Sequence, residues 1–397
     1  MKNEKRLRVA FIYGGVSPEH EISVITGVQA MAAAKGEFDV IPLYVAKSGE
    51  LYTGEALKDI GTYSKLSLIP KLAKHAGLPE KSSQAVIPLA EPKPFSAKET
   101  PFDVLFPCFH GGVGEGGWIQ GIAEAQGIPM VGTGLTGAVI GMDKVAMKHA
   151  FAAAGIPQAS YLWFYRQEWQ EKKNPLLKTI TGKFSFPLFV KPSRGGSSIG
   201  TTRATDKQSL IRAIDLAAAL DTRVVVEEGI ENAREFNISV MGNAGNTLET
   251  SAIEEVFHGQ SDFLGFEEKY LTGGKTKGMA GTDRQIPAEV SGDVAKKIAD
   301  IAKQVFRLFD CGGLVRIDFL AKGKQVYCVE INTIPGSLSF YIWDKSGYTY
   351  PELIKRLVDL ATIRDAENRK TARSFASNVL EDAATSLGNK LGKKLSG

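Results

Sequence analysis

"GGLVRIDFLAKGKQVYCVEINTIPG", residues 312–336, reads as two apolar strands joined by a tight turn and closed by a Pro-Gly break, yet each strand carries polar residues two apart. Alternate side chains on a strand share a face, so Arg316 and Asp318 point one way, and so do Glu330 and Asn332. Register decides whether the two polar faces coincide. A two-residue loop of Lys322-Gly323 pairs Asp318 with Tyr327 and turns Glu330 to the opposite side. A three-residue loop, or a bulge, pairs Arg316 with Glu330 and gathers all four polar groups on one wall, and this second arrangement is the expectation. Asp318, Glu330 and Asn332 then offer a hard, oxygen-only donor set suited to Mg²⁺ beside nucleotide phosphates. The competing reading is a structural Arg316–Glu330 ion pair with Asp318 in solvent.

Upstream, strand and helix signals alternate: "RLRVAFIYGG", "SPEHEISVITGVQAMAAAK", "FDVIPLYVAK", "FDVLFPCFHGG", "GWIQGIAEAQG" and "TGAVIGMDKVAMKHAFAAAG". Such βα repetition implies a mostly parallel sheet with helices on its faces. Residues 52–100, rich in Pro, Lys and Ser, interrupt that rhythm and read as an insertion or mobile surface loop. From about Met142 onward the strands come in runs, which is an α+β pattern. The expected organisation is α/β over 1–140, one α+β part over 141–229, a second over 230–361, and a charged tail over 362–397.

With 397 residues, 43% hydrophobic and 23% charged, the chain has the composition of a soluble multi-part globular protein. The formal net charge of +4 is small and lies partly in the tail, so no basic footprint points to nucleic acid. The opening "MKNEKRLRVAFIYGG" puts basic residues before "VAFIY", too short for a signal-peptide core, and no stretch approaches a membrane-spanning length. Cys108, Cys311 and Cys328 stand far apart among apolar residues, as buried thiols of a reducing, cytoplasmic compartment do. The five histidines show no zinc-ligand spacing.

Several stretches compete for a phosphate. "GVGEGG" (Gly112, Gly114, Gly117) and "GTGLTG" (Gly132, Gly134, Gly137) both match G-x-G-x-x-G, but neither is the first βα turn and neither has the expected acidic partner at the next strand end. "GGKTKG" has Lys269 where a P-loop needs its first glycine. "VKPSRGGSSIG" is more informative: a strand delivers Lys191, Pro192 stops it, and the following run can expose backbone N–H groups with the hydroxyls of Ser197 and Ser198. Lysine suits polyphosphate as a point charge, while the plainer alternative is a solvated hairpin turn. "RVVVEEGIENAREF" ends a strand in Glu227-Glu228 and opens another at Glu235, where carboxylates can accept from ribose hydroxyls or an exocyclic amine, or can simply be exposed.

In order along the chain, "GGVSPEHEIS", "HGGVGEGGWIQG", "GMDKVAMK", "KPSRGGSSIG", "VVVEEGIENAREF", "EKYL", "RIDF" and "EINTIPG" resemble the ATP-grasp ligases, and within them the D-alanine:D-alanine ligase family, over most of residues 7–360. The resemblance implies a three-part ATP-grasp fold: an N-terminal parallel-sheet domain and two antiparallel-sheet α+β subdomains sandwiching ATP. It implies ATP and two Mg²⁺ ions as cofactors, with Mn²⁺ as a substitute, D-alanine as substrate, and a homodimer without nucleic-acid or membrane partners. Carried over by match, Lys144, Lys191 and Ser198 would contact phosphates, Ser197 would belong to the closing loop, and Lys269 would reach the transferred phosphoryl group. Glu227, Glu228 and Ile230 would line the adenine, Glu235 would hold the ribose, and Asp318, Glu330 and Asn332 would bind the metal ions. Glu19 would take the ammonium of the first D-alanine, and His110 would lie near its carboxylate. Arg316 and the Gly336 N–H would serve the oxyanion, glycine being needed for its backbone freedom. The bland alternatives are that "SPE" is only a helix start capped by Ser17, with Glu19 favouring the dipole, and that His110 is only exposed.

The chain departs from the family after Pro335. A hydroxyl-bearing Met/Phe-Thr-x-x-Ser run is usual there, and this chain has "SLSFYIWD". Ser337, Ser339 or Tyr341 would replace that hydroxyl, with Tyr270 also at the substrate. The implied reaction is ligation of two D-alanines through an acylphosphate to give D-alanyl-D-alanine for peptidoglycan. The second substrate could instead be D-serine, D-lactate or another amino acid.

Overall fold

The computed structural model describes residues 6–76, 102–257 and 283–371, together with 379, 383 and 384. Lys269 and Tyr270 lie outside the described residues.

The first sheet forms around β1 (Arg8–Gly14), whose residues Val9–Tyr13 are completely buried. It pairs in parallel with β2 (Asp39–Val45) on one side and with β5 (Val104–Pro107) on the other, and β3 (Leu51–Thr53) and β4 (Lys74–His75) extend the sheet beyond β2, in the order β4-β3-β2-β1-β5. A strand covered on both faces reads as an unbroken apolar run, and "VAFIY" is one. β3 and β4 pair antiparallel, so the sheet is mixed. Of the two readings of 52–100, the mobile surface loop does not hold over its described part. Residues 52–76 fold onto the sheet, with Leu57 and Ile69 buried and the hydroxyls of Tyr13 and Tyr63 donating to Leu57 O at 2.9 and 2.8 Å. Short elements of this kind show no periodicity, because single anchors hold them.

The second sheet, with β6 (Tyr161–Tyr165), β7 (Leu188–Pro192), β8 (Thr202–Ala204) and β9 (Arg223–Glu228), runs β6-β9-β7-β8 and is antiparallel. Helix Lys207–Leu220 covers it through Leu210, Ile214 and Ala217. The third, with β10 (Arg234–Asn243), β11 (Glu249–Phe257), β12 (Asp283–Gln285), β13 (Gly312–Lys322) and β14 (Gln325–Asn332), runs β12-β11-β10-β13-β14, again antiparallel. Val294, Ile298, Ala302, Val305 and Phe306 of helix Gly292–Leu308 repeat at helical spacing and are buried.

After β14 the chain crosses back: Ile334, Leu338, Trp343, Leu353 and Leu357 join the core of the first sheet. The polypeptide leaving the polar wall is thereby anchored in the N-terminal part. The expected tail from 362 also starts too early. Helix Tyr350–Asn368 continues past it, and Arg364 donates to Gly132 O at 3.3 Å and to Asp310 O at 3.0 Å. Among the described residues no helix is long and apolar enough to cross a membrane.

Candidate active site

The hairpin gathers its four polar groups, but in a register other than the expected Arg316–Glu330 pairing. Gly323, at φ +59°, turns the chain so that Lys322 faces Gln325, and a bulge at Val329 then shifts the pairing to Asp318 opposite Glu330 and Arg316 opposite Asn332. The bulge restores one common face. Arg316 grips Asp318 with both arms, Nε to Oδ1 at 2.7 Å and Nη2 to Oδ2 at 2.9 Å, and Asn332 Nδ2 donates to Asp318 Oδ2 at 3.0 Å. Glu330 faces Lys144 Nζ at 3.4 Å instead. The structural ion pair of the competing reading therefore exists as Arg316–Asp318, and Asp318 is buried.

The wall extends over two more strands. β10 places Asn237 opposite Asp318 and Ser239 opposite Arg316, and β11 places Glu254 opposite Asn237. Asn237 Nδ2 donates to Glu254 Oε2 at 3.1 Å. Arg284 on β12 pairs with Glu254 Oε1 at 3.0 Å and stacks on the Tyr341 ring at 4.8 Å, while Tyr341 Oη donates to Glu254 Oε2 at 3.2 Å. Burial pushes the Tyr341 hydroxyl up to about 12, so it stays a donor.

From the second sheet, Lys191 Nζ donates to Glu227 Oε2 at 2.9 Å, and Lys148 Nζ lies 3.2 Å from Glu227 Oε1. Burial alone pushes the Glu227 carboxyl up, but the two ammonium groups outweigh it and hold the carboxyl at about 2. Burial likewise works to lower Lys191, yet Glu227 and Glu330 keep it raised. Lys144 opens helix Lys144–Ala153, which Asp143 caps by accepting from Val145 N and Ala146 N at 3.1 Å each. Lys144 Nζ donates to Gly195 O at 2.8 Å. Lys144 and Lys191 thus bring two ammonium groups to the polar wall, the first at Glu330 and the second at Glu227.

The loop after Lys191 bends over Glu19. Ser197 Oγ donates to Glu19 Oε1, and a Cβ on Gly196 or Gly111 would strike the Glu19 carboxylate. Glu19 is buried at the start of helix His20–Ala34, and Ser17 Oγ accepts from Glu19 N at 3.1 Å. Ser198 stands beside Ser197 in the left-handed region, with φ +61° and +48°.

His110 is not exposed and does not offer a free ring nitrogen. Its Nδ1 lies 3.0 Å from Ile334 O and its Nε2 2.7 Å from Thr26 Oγ1. Burial lowers the imidazole to about 4, so it is neutral at pH 7. The ring thus holds the loop after β14 through Ile334. Glu115 grips the same loop, accepting from Ile334 N at 3.3 Å and from Gly111 N at 2.8 Å, and burial together with Glu19 pushes its carboxyl up to about 7. Gly336 is not left-handed; Ser337, Leu338 and Ser339 are, at φ +47°, +52° and +50°. Glycine at 336 therefore does not serve a positive φ. Ser337 uses its N–H on Thr26 Oγ1 at 3.1 Å, and the buried Ser339 Oγ has no hydrogen-bond partner among the described residues.

Glu228 ends β9, where its Oε1 accepts from Ser185 N at 3.3 Å and its N–H donates to Ser160 O at 2.9 Å. Ile230 lies beyond the end of β9, and Glu235 sits on β10 opposite Leu320, on the face of Asp318. Sequence reasoning missed Lys148, Glu115, Thr26, Asn237, Glu254 and Arg284. Only Asn237 gave a signal, since "EFNIS" alternates Glu235, Asn237 and Ser239.

Among the described residues no three His, Cys, Asp or Glu side chains form a metal cluster by themselves. Two carboxylates and an amide oxygen on one wall, whose carboxylates are balanced by Arg316 and Lys144, nonetheless fit a hard divalent cation. The family model for the D-ala D-ala ligase N-terminus matches residues 8–133, and that for its C-terminus matches 150–359. The D-alanine–D-alanine ligase of Bacillus velezensis is 36% identical over 92% of this chain and 100% of its own length, and that of Acetivibrio thermocellus is 38% identical over 91% and 98%. The D-alanine–D-alanine ligase structure from Coxiella burnetii superposes with a TM-score of 0.74 at 24% identity, covering 92% of this chain and 97% of that one. The VanG D-Ala:D-Ser ligase of Enterococcus faecalis gives 0.71 at 26% identity, covering 90% and 100%. With both family models and full-length relatives of this identity matching a three-sheet ATP-grasp architecture, the chain belongs to the D-alanine–D-alanine ligase family.

Proposed function

We propose that the protein joins two D-alanines at the expense of ATP, releasing D-alanyl-D-alanine, ADP and phosphate for peptidoglycan synthesis in the cytoplasm. The observation that carries this reading is the facing of two elements: the wall of Asp318, Glu330 and Asn332, and the lysines Lys144 and Lys191 within reach of Glu330 and Glu227. Nucleotide phosphates are the ligand that needs both.

Lys144 and Lys191 bind the phosphates as point charges, and the Ser197–Ser198 loop closes over them. Asp318, Glu330 and Asn332 would hold two Mg²⁺ ions, or Mn²⁺, which would supply charge neutralisation at the phosphates. Glu19 receives the ammonium of the first D-alanine, whose carboxylate oxygen attacks the γ-phosphorus, forming the acylphosphate and releasing ADP. The amine of the second D-alanine adds to the acyl carbon, a proton leaves nitrogen, and the C–O bond to phosphate breaks. These steps call on no protein nucleophile. Its work is positioning and charge stabilisation, with Arg316 and the Gly336 N–H at the developing oxyanion.

The second acceptor is open to a specific alternative, since the 337–343 segment replaces the family's hydroxyl run and the VanG D-Ala:D-Ser ligase superposes well. Phosphate release and dipeptide formation should be measured with Mg²⁺-ATP and D-alanine alone, then with D-serine or D-lactate added. Turnover with D-alanine alone is expected. Release that requires the added partner would replace D-alanine as second substrate, and no release with any of them would end the ligase reading.

A further inference from the structure

We infer that Thr26 is a positioning residue for the loop that carries Gly336, acting through a one-way hydrogen-bond relay with His110. Ile334 O can only accept, so the hydrogen on His110 lies on Nδ1, 3.0 Å away. A neutral ring then leaves Nε2 as an acceptor, and its partner at 2.7 Å, Thr26 Oγ1, must donate. A hydroxyl that donates still has lone pairs, and one of them receives Ser337 N–H at 3.1 Å. The relay leaves the loop at Ser337 and returns to it at Ile334, so it spans Gly336 from both sides.

The loop needs such a hold. Ser337, Leu338 and Ser339 are three successive non-glycine residues in the left-handed region, each costing about 1 kcal/mol or more. Backbone of this kind persists only where its surroundings over-determine it. Here the holding groups come from another part of the molecule: Thr26 is wholly buried in helix His20–Ala34, the helix that Glu19 precedes, and His110 follows β5. The side chains that fix the loop thus belong to the same structural unit as the carboxylate that receives the first amino acid. Thr26 touches no reacting atom; it fixes where the Gly336 N–H points.

The inference rests on the ligase reading with Gly336 at the oxyanion, and the test separates the two. Thr26→Val keeps the shape and removes the hydroxyl, while Thr26→Ser keeps the hydroxyl. In the wild-type background, dipeptide formation from D-alanine must be observed first; its absence overturns the ligase reading. Given that activity, Thr26→Val should lower kcat on the order of 10- to 100-fold, as displacement of a catalytic group does, with KM for ATP unchanged. Thr26→Ser should return most of kcat. Wild-type kcat in Thr26→Val, a KM effect on ATP equal to the kcat effect, or failure of Thr26→Ser to rescue would each overturn the relay. Nitrogen-15 NMR of histidine in the unaltered protein gives a measurement independent of any variant's folding. His110 should carry its hydrogen on Nδ1, and the Nε2–H form would sink the inference.

Discussion

Lys148 and Glu227 form an ion pair 3.2 Å apart in which neither side chain reaches solvent, at 1% and 7% exposure. Lys191 adds a second ammonium to the same carboxylate at 2.9 Å, so one negative charge serves two positive ones. Removing that charge strips Lys148 of its carboxylate partner in a buried site and leaves Lys191 to the more distant Glu330. Glu227→Gln should destabilise the protein by about 3 kcal/mol or more, as loss of one partner of a buried pair does. The pH dependence has a definite sign. The folded carboxyl lies at about 2, below its ordinary 4.5, so its stabilisation is complete above 4.5 and is lost as pH falls toward 2. Urea unfolding at pH 7 and pH 3 should show the difference between wild type and variant shrinking at the lower pH. A difference independent of pH would contradict the pairing.

Lys191→Ala separates structure from binding. Glu227 keeps Lys148, so the stability loss should be smaller than in Glu227→Gln. Nucleotide affinity should fall about tenfold or more, the equivalent of one charge-assisted hydrogen bond. Calorimetric titration with ATP or ADP checks it, and unchanged affinity would remove Lys191 from the phosphate site.

His110 should titrate far from the ordinary histidine range. Burial lowers its imidazole to about 4. Protonation would also turn Nε2 from acceptor to donor against Thr26. Because the folded value is depressed, the contribution to stability is complete above about 6.5 and falls away as pH drops through 4. Proton NMR of the histidine ring signals should show one residue unchanged between pH 8 and 5, and a His110 midpoint near 6.5 would contradict the buried neutral ring.

Asp318, Glu330 and Asn332 were legible because strand alternation has a period of two and apolar neighbours make polar exceptions conspicuous. Their register was not, because a bulge at Val329 moves pairing by one residue and Val, Cys and Tyr fill either register equally well. Lys148 was invisible for a related reason: a lysine in an amphipathic helix normally lies in water, and only the third dimension brings Glu227 to it. The left-handed run at 337–339 had no glycine to announce it. Glu19 and Lys191 carried less information in their own neighbourhoods than in their order along the chain, and that order is what pointed to the family.

Asn332→Ala tests the metal assignment. The amide donates to Asp318 at 3.0 Å, but Arg316 still holds that carboxylate twice, so the fold should lose only about 1 kcal/mol. Mg²⁺-ATP turnover should nevertheless be lost. Wild-type turnover in a folded Asn332→Ala protein would refute Asn332 as a ligand.

Ser339 gives a prediction in which stability and binding move apart. Its side chain is wholly buried, yet among the described residues Oγ has no hydrogen-bond partner. A buried hydroxyl left unpaired costs on the order of 1 kcal/mol or more, so Ser339→Ala should leave the free protein as stable as wild type or slightly more stable. The neighbouring candidates are already engaged: Ser337 N–H goes to Thr26, and Tyr341 Oη goes to Glu254. If the unpaired hydroxyl receives the carboxylate of the second amino acid, Ser339→Ala should raise KM for that amino acid about tenfold and leave KM for ATP unchanged, one hydrogen bond to a charged group being worth about 1.5 kcal/mol or more. Tyr341→Phe should leave that KM nearly unchanged, because Glu254 keeps Asn237 and Arg284. Steady-state kinetics with D-alanine and with D-serine, alongside thermal unfolding of both variants, distinguish the outcomes. A KM effect in Tyr341→Phe and none in Ser339→Ala would move the second substrate's carboxylate from Ser339 to the tyrosine.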